Sequence, residues 1–318
     1  SSNDFNKGDN QGVSKFEVNQ KRGWRWSSVR GFLDPVRSRP NLKIVTGALS
    51  DKLILEGKRV TGIEFLHQGE RCSASANLET ILAAGAIGSP AILQRSGIAD
   101  PDFLNSKGIE VKHALPGVGE NLQDHLQLRT VFKVKGIKTL NQTANSLWGK
   151  AMMALEFALF QRGPLTMAPS QLGMFARSDE GVETPNIEYH VQPLSLDKFG
   201  DPLHNFPAFT ASVCNLRPSS RGTVKISDSD PSSAPEIAPN YLSTDEDRKV
   251  AADSLRLTRQ IVAQSALKPY EPEEHLPGTA FQSDEQLVKA AGDVGTTIFH
   301  PVGTCKMGKP DDQFAVVD

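Results

Sequence analysis

Glu79-Thr80-Ile81-Leu82-Ala83-Ala84-Gly85-Ala86-Ile87-Gly88-Ser89-Pro90-Ala91-Ile92-Leu93-Gln94 is the stretch on which the fold reading turns. Residues 79–84 form a short apolar run of the kind buried in a sheet. Residues 85–88 read as a glycine turn, and residues 89–94 as the start of a helix. Strand, glycine turn and helix N-terminus together present backbone N–H groups to a phosphate or a ring edge. Upstream, residues 42–45 read as a short strand and residues 59–66 alternate at period two, with Gly57 and Gly69 placed for hairpin turns. Residues 41–93 are therefore β-rich.

Downstream, residues 115–121 are turn-rich. Their Gly117-Val118-Gly119 is no dinucleotide fingerprint, because Pro116 precedes it and Leu122 holds the third glycine position. Residues 144–161 read as an amphipathic helix ended by Gly163-Pro164, and residues 186–192, 208–216 and 222–227 as strands. Residues 245–264 give the clearest helix, capped by Thr244 and favoured at its N-terminus by Asp245, Glu246 and Asp247. A shorter helix over 283–291 is capped by Ser283. Trp24-Arg25-Trp26-Ser27-Ser28 reads as the base of a helix running to Leu33. The chain thus divides into a β-meander portion to about residue 130, a mixed portion over 131–295, and a glycine-punctuated return segment over 296–318.

Composition excludes several classes. At about 150 residues per domain, 318 residues make one large or two ordinary domains. Thirty-five basic and 37 acidic residues give a net charge of −2 with no basic run, which disfavours nucleic acid. Residues 81–93 and 151–160 fall short of the ~20 needed for a membrane-spanning helix. The cysteines Cys72, Cys214 and Cys305 are an odd set that suits a reducing compartment. Asn141-Gln142-Thr143 matches a glycosylation sequon by chance, since no secretory signal accompanies it. The seven histidines form no metal-ligand motif, so no metal site is expected. Of the nucleophile patterns, only Cys305 near His300 has a base close in sequence. The chain opens at Ser1 without Met and closes at Asp318 as if entering a strand, so a piece of a longer protein is expected.

Phe299-His300-Pro301-Val302-Gly303-Thr304 sets an imidazole at the end of an apolar stretch. Pro301 biases His300 toward extended backbone, and Gly303 permits close approach of another group. An imidazole titrates near neutral pH and can take a proton from an alcohol; a hydrogen-bonded structural histidine is the alternative. Asn121-Leu122-Gln123-Asp124-His125 packs four polar side chains into five positions, which suits a cofactor lining or a turn network equally.

Taken together, four ordered blocks resemble the glucose–methanol–choline oxidoreductases, flavin enzymes that oxidise alcohols. They are residues 85–98, residues 115–125, Ser220-Arg221-Gly222-Thr223-Val224 with Pro239-Asn240-Tyr241-Leu242, and residues 299–308. The resemblance implies a mixed α+β or α/β fold: the remnant of a Rossmann-like FAD domain over 1–130, and a substrate domain with an antiparallel sheet flanked by helices over 131–295. Residues 296–318 would return to the FAD domain. It implies FAD as cofactor, His300 as the catalytic base facing the flavin N5, and Ile298 and Phe299 lining the substrate pocket. The backbone around Ser50 would touch the adenosine, and Ala84 and Gly85 would sit by the cofactor. The wording of the His300 block is closest to choline-dehydrogenase-like and aliphatic-alcohol-dehydrogenase-like members. That favours a primary alcohol and a quinone-type acceptor, in the cytoplasm or peripherally on the inner membrane.

Two positions depart from the family pattern: Ala99 stands where glycine is usual, and Ser50 where an apolar residue is usual. The family's Gly-x-Gly-x-x-Gly would precede Ser1 and its second catalytic residue would follow Asp318, so the chain alone is expected to be inactive. A non-enzymatic module that lost the flavin half, and a sugar-oxidising member, are the alternative readings. A quaternary ammonium substrate calls for an acidic or aromatic cage; Glu156, Glu188 and the phenylalanines are available, and the sequence does not bring them together.

Overall fold

Leu126–Lys133 is an eight-residue strand buried along nearly its whole length, and the larger sheet is built around it. A computed structural model describes residues 4–8, 10–168, 170–198 and 200–318. The chain folds as two compact units, one of residues 1–42, 125–217 and 244–298, the other of residues 43–124, 218–243 and 299–318. The sequence reading cut the chain once near 130 and again near 295. It did not anticipate that 1–42 and 218–243 would cross over, because contacts between distant segments leave no mark on local pattern.

The first unit holds an antiparallel sheet in the order Gly12–Lys15, Leu172–Ala176, Ile187–Gln192, Ala208–Asn215, Leu126–Lys133, Glu273–Leu276. Gly295–Thr297 pairs with the other end of Leu126–Lys133, taking partners Leu126 to Leu128. One face is covered by the helix Asp245–Val262, which turns Val250, Ala251, Leu255 and Val262 inward. Thr244 Oγ1 caps that helix by accepting the Asp247 N–H at 3.2 Å. The Tyr189 hydroxyl reaches it from the sheet, 2.9 Å from Thr258 Oγ1, and burial raises the Tyr189 pKa far above its usual range. A second helix, Asp284–Val294, buries Leu287, Ala290 and Ala291. Arg259 ties the layer to the sheet edge through a bidentate pair with Glu274, at 2.8 and 2.9 Å. Asn141 of the sequon is fully buried and bonded to Ser195 and to the Phe206 carbonyl, which fits the chance reading.

The second unit holds the meander Ala48–Glu56, Arg59–His67, Glu70–Ser75, as its alternation indicated. The helix Gly85–Arg95 packs Ile92 against Leu53, Ile98, Leu104 and Val118. Asp51 is buried beneath two guanidiniums, Arg71 at 2.8 Å and Arg95 at 3.3 Å. Gln94, fully buried on this apolar helix, accepts the Ile226 N–H at 2.9 Å and donates to the carbonyl of Val224 at 2.9 Å.

Several expected elements differ. Residues 42–45 and 79–84 form no strand, and Leu78 and Ile81 are 91% and 80% exposed. An apolar run becomes a buried strand only where other strands flank it, and these segments have no such neighbours among the described residues. The glycine turn at 85–88 is instead the first turn of the helix Gly85–Arg95. The helix over 144–161 is broken at Ser146 into Leu140–Asn145 and Leu147–Phe160, because the Ser146 side chain caps the second by accepting the Gly149 N–H. The helix running to Leu33 is reduced to the short turn Val29–Leu33.

Gln94→Leu strands the Ile226 N–H without its acceptor and is expected to cost about 1–3 kcal/mol. Urea denaturation checks this, with the exposed Gln264→Leu expected to stay within about 0.5 kcal/mol of the parent.

Candidate active site

The backbone before His300 is strained. Phe299 stands at φ +64, a left-handed conformation that bulky residues rarely adopt. Such a residue persists only where its surroundings hold it there. The restraint in this unit comes from the polar cluster of residues 121–124.

Asp124 is the joint. Its Oδ1 accepts the His300 backbone N–H at 3.0 Å, and its Oδ2 accepts the Tyr241 hydroxyl at 2.5 Å. Beside it, Gln123 and Val302 exchange backbone hydrogen bonds of 2.9 Å in each direction. Asn121, itself at φ +61, donates from Nδ2 to the Gly303 carbonyl at 3.1 Å and accepts from Arg221 Nε at 3.1 Å. At Gly303, φ is +94 and a Cβ would stand 2.4 Å from the Asn121 carbonyl oxygen, so only glycine fits. Leu122 and Gly222 bond each other at 2.9 Å in both directions. Thr304 accepts the Gly119 N–H at 2.9 Å through its carbonyl and donates its hydroxyl to the Ala86 carbonyl at 2.5 Å. All four sequence blocks therefore meet through hydrogen bonds within one unit.

His300 and Phe299 are exposed on this clamped loop, Phe299 to 68%. Cys305 lies further along it, and burial pushes its thiol pKa up, which removes thiolate character at neutral pH and leaves the cysteine-nucleophile pattern without support. Ala84 and Gly85 are exposed at the start of the helix Gly85–Arg95, whose first residue has φ +76 and nothing within 4 Å of a Cβ position. Ala84 itself donates its N–H to Ser89 Oγ at 3.1 Å. Ser50 lies at the other end of that helix, its carbonyl accepting from Arg95 Nη2 at 3.2 Å. Eleven helical residues separate the two ends by about 15 Å, so Ser50 is not brought beside Gly85. Ile298 belongs to the sheet-bearing unit, where its N–H lies 3.4 Å from the His125 carbonyl.

The sheet-bearing unit has its own polar surface. Along one face, Glu188 stands opposite Phe175 and Cys214, and His190 opposite Gly173 and Ser212. Arg129 and Gln127 extend the same face on the next strand. His190 stacks on Phe16 at 5.1 Å, Phe5 meets both Phe16 and Phe175, and Glu188 Oε1 lies 3.5 Å from His190 Nε2. Burial lowers the Arg129 pKa. Glu188 is thus placed among aromatic rings, whereas Glu156 is paired with Arg162 on the helix Leu147–Phe160.

Sequence reasoning singled out Asn121, Gln123 and Asp124 as a cluster without assigning their partner. It gave no role to Tyr241 or Gln94. The available signal for Gln94 was an amide in an otherwise apolar helix.

Residues 1–127 match the N-terminal part, and residues 218–318 the C-terminal part, of the family described as GMC oxidoreductase. The chain belongs to the GMC oxidoreductase family. Oxygen-dependent choline dehydrogenase of Serratia proteamaculans is 42% identical over 300 residues, covering 93% of this chain and 53% of that protein. Its counterpart in Chromohalobacter salexigens, oxygen-dependent choline dehydrogenase 1, is 38% identical over 296 residues, with the same coverage. Among solved structures, pyridoxine 4-oxidase from Mesorbium loti superposes with a TM-score of 0.84 at 29% identity, covering 99% of this chain and 57% of that one. A fungal aryl-alcohol oxidase, at 22% identity and a TM-score of 0.81, covers 98% of this chain and 60% of its own, and shares the fold. This GMC oxidoreductase chain spans about half the length of the curated relatives it matches.

Asp124→Ala removes the acceptor for both the His300 amide and the Tyr241 hydroxyl. Amide hydrogen exchange at His300 is expected to quicken by about tenfold or more, the scale of one net hydrogen bond to a charged acceptor. Exchange in the strand Leu126–Lys133 should be unchanged.

Proposed function

We propose that this chain is the substrate-side portion of a flavin-dependent alcohol dehydrogenase, active within a longer polypeptide, that oxidises a primary alcohol to the aldehyde. The observation that carries the reading is the Asp124 clamp, which presents the exposed His300 on a strained loop tied by its backbone to a buried carboxylate. A merely structural histidine needs no such presentation.

FAD, when bound, supplies a two-electron acceptor for the hydride leaving the alcohol carbon. The residues present are compatible with it: Ala84 and Gly85 leave an open, uncapped helix start where no Cβ would obstruct a ring or phosphate. Ser50 would contribute through its backbone at a separate point, consistent with a long ligand. His300 takes the hydroxyl proton, which makes the carbon a better hydride donor. Asp124 acts on His300 through the main chain, fixing the loop from which the imidazole projects. Phe299, beside His300, and Ile298 would line the alcohol pocket. In this reading the unit of residues 43–124, 218–243 and 299–318 serves the cofactor and the sheet-bearing unit the substrate.

Within the primary alcohols we favour a choline-like one over a neutral aliphatic one. The names of the two bacterial relatives support the same class. The acceptor we propose is a quinone, although those relatives are called oxygen-dependent.

Two measurements on the longer polypeptide test this. His300→Ala should slow flavin reduction by about 100-fold or more while the visible flavin spectrum is retained; an unchanged rate removes His300 from the chemistry. Turnover sustained by a soluble quinone under anaerobic conditions supports the proposed acceptor, and turnover with oxygen alone overturns it.

A further inference from the structure

A second cluster of donors lies in the sheet-bearing unit, where the loop after the strand Ile187–Gln192 meets the edge strand Glu273–Leu276. We propose that Asp197, His204 and His275 form a binding site for a divalent transition-metal ion of the zinc class. One donor atom from each lies within 4.8 Å of the other two. His204 Nε2 is 3.2 Å from Asp197 Oδ1. Two ligands each about 2.0–2.1 Å from a tetrahedral ion stand about 3.3 Å apart, so this pair already has the required spacing.

His204 is held from behind. Its Nδ1 lies 2.9 Å from Ser195 Oγ, and its backbone N–H donates to the Ser195 carbonyl at 3.0 Å. Ser195 is fully buried and locked in turn by Asn141, whose Nδ2 donates to Ser195 Oγ and whose Oδ1 accepts the Ser195 N–H, both at 2.9 Å. The imidazole lies flat on Phe206, with ring centroids 4.6 Å apart and 18° between planes. With an ion between Nε2 and Asp197, an Nδ1–H would donate to Ser195 Oγ, which is how outer residues commonly orient a metal-ligating histidine.

His275 comes from the other segment. It occupies the irregular position between Glu274 and Leu276, and meets the His204 ring edge-on at 5.5 Å. The charged neighbours are Lys133, whose ammonium sits 5.0 Å from the Phe206 ring, and Glu273, which pairs opposite Lys133 across the strands. Two imidazoles and one carboxylate select zinc, cobalt, nickel or copper over magnesium and calcium, which take oxygen ligands. Asp197 is 65% exposed, which gives the ion a way in. A plain hydrogen bond accounts for the His204–Asp197 pair and gives no part to His275. The bound ion would clip the loop to the sheet edge, with an open coordination position toward solvent.

Titration of Co2+ into the metal-free 318-residue chain tests the site with no dependence on flavin or turnover. One equivalent should bind and give visible absorption bands distinct from aqueous Co2+; Zn2+ should abolish them and raise the melting temperature. Asp197→Asn, at an exposed position that leaves the fold intact, and His275→Ala should each remove the bands. Ser195→Ala should weaken Co2+ binding by about 10–100-fold with the band shape kept, the usual cost of losing an outer orienting partner. Absence of the bands in the parent chain overturns the proposal. So does their survival in both Asp197→Asn and His275→Ala, which would place the ion on other histidines.

Discussion

One carboxylate holds the proposed active-site loop together. Asp124 is nearly excluded from water, and an ionised group in that position is costly unless its oxygens are satisfied. It meets the requirement by taking one donor from the main chain of the loop and another from the side chain of Tyr241. The remaining bonds of the clamp act in its support. Asn121 and Gln123 fix the strand that carries Asp124, and Arg221 fixes Asn121. The left-handed backbone at Phe299 is tolerated because these bonds leave the loop no alternative path. The imidazole is thereby positioned through its own backbone N–H.

The larger sheet separates two kinds of chemistry by the period-two alternation of its strands. Tyr189, Leu128 and Val213 point toward the helices and build an apolar layer, while their neighbours Glu188, His190, Gln127, Arg129 and Ser212 point the other way. A slip of one residue in register would drive the ionisable set into the helix layer. The hydrophobic face therefore fixes the placement of the polar one. Arg129, Glu188 and His190 owe their face of the sheet to the register of Val213 and its neighbours.

Much of this was legible in the sequence, and the failures share a cause. The meander, the helix Asp245–Val262 and the helix Asp284–Val294 follow from signals inside each segment: period-two alternation, capping hydroxyls, first-turn carboxylates. The polar cluster at 121–125 stood out because five consecutive positions carried four hydrogen-bonding side chains, yet its partner lay some 176 residues away, beyond any local pattern. The runs at 42–45 and 79–84 were read as strands from composition alone, and composition does not report whether a ladder partner exists. The meeting of His204 with His275 was equally hidden, since ligand spacing along the chain is informative only when both ligands share one turn, helix or hairpin.

The interleaving of the two units bears on how the chain folds at all. Gly117 packs so closely on the Phe314 carbonyl that a Cβ there would stand 2.1 Å from it, and Leu122 waits for Gly222. Contacts between residues so far apart raise contact order and slow folding, because the entropy of closing long loops is lost before the contacts are made. On a ribosome adding roughly 5–20 residues per second, the unit that contains Asp124 stays open until its last segment emerges. Its helix Gly85–Arg95, with Ala91 and Ile92 that the finished unit buries, spends that interval unprotected. The same crossings that gather four sequence blocks at one loop also make the nascent chain a natural client for chaperones.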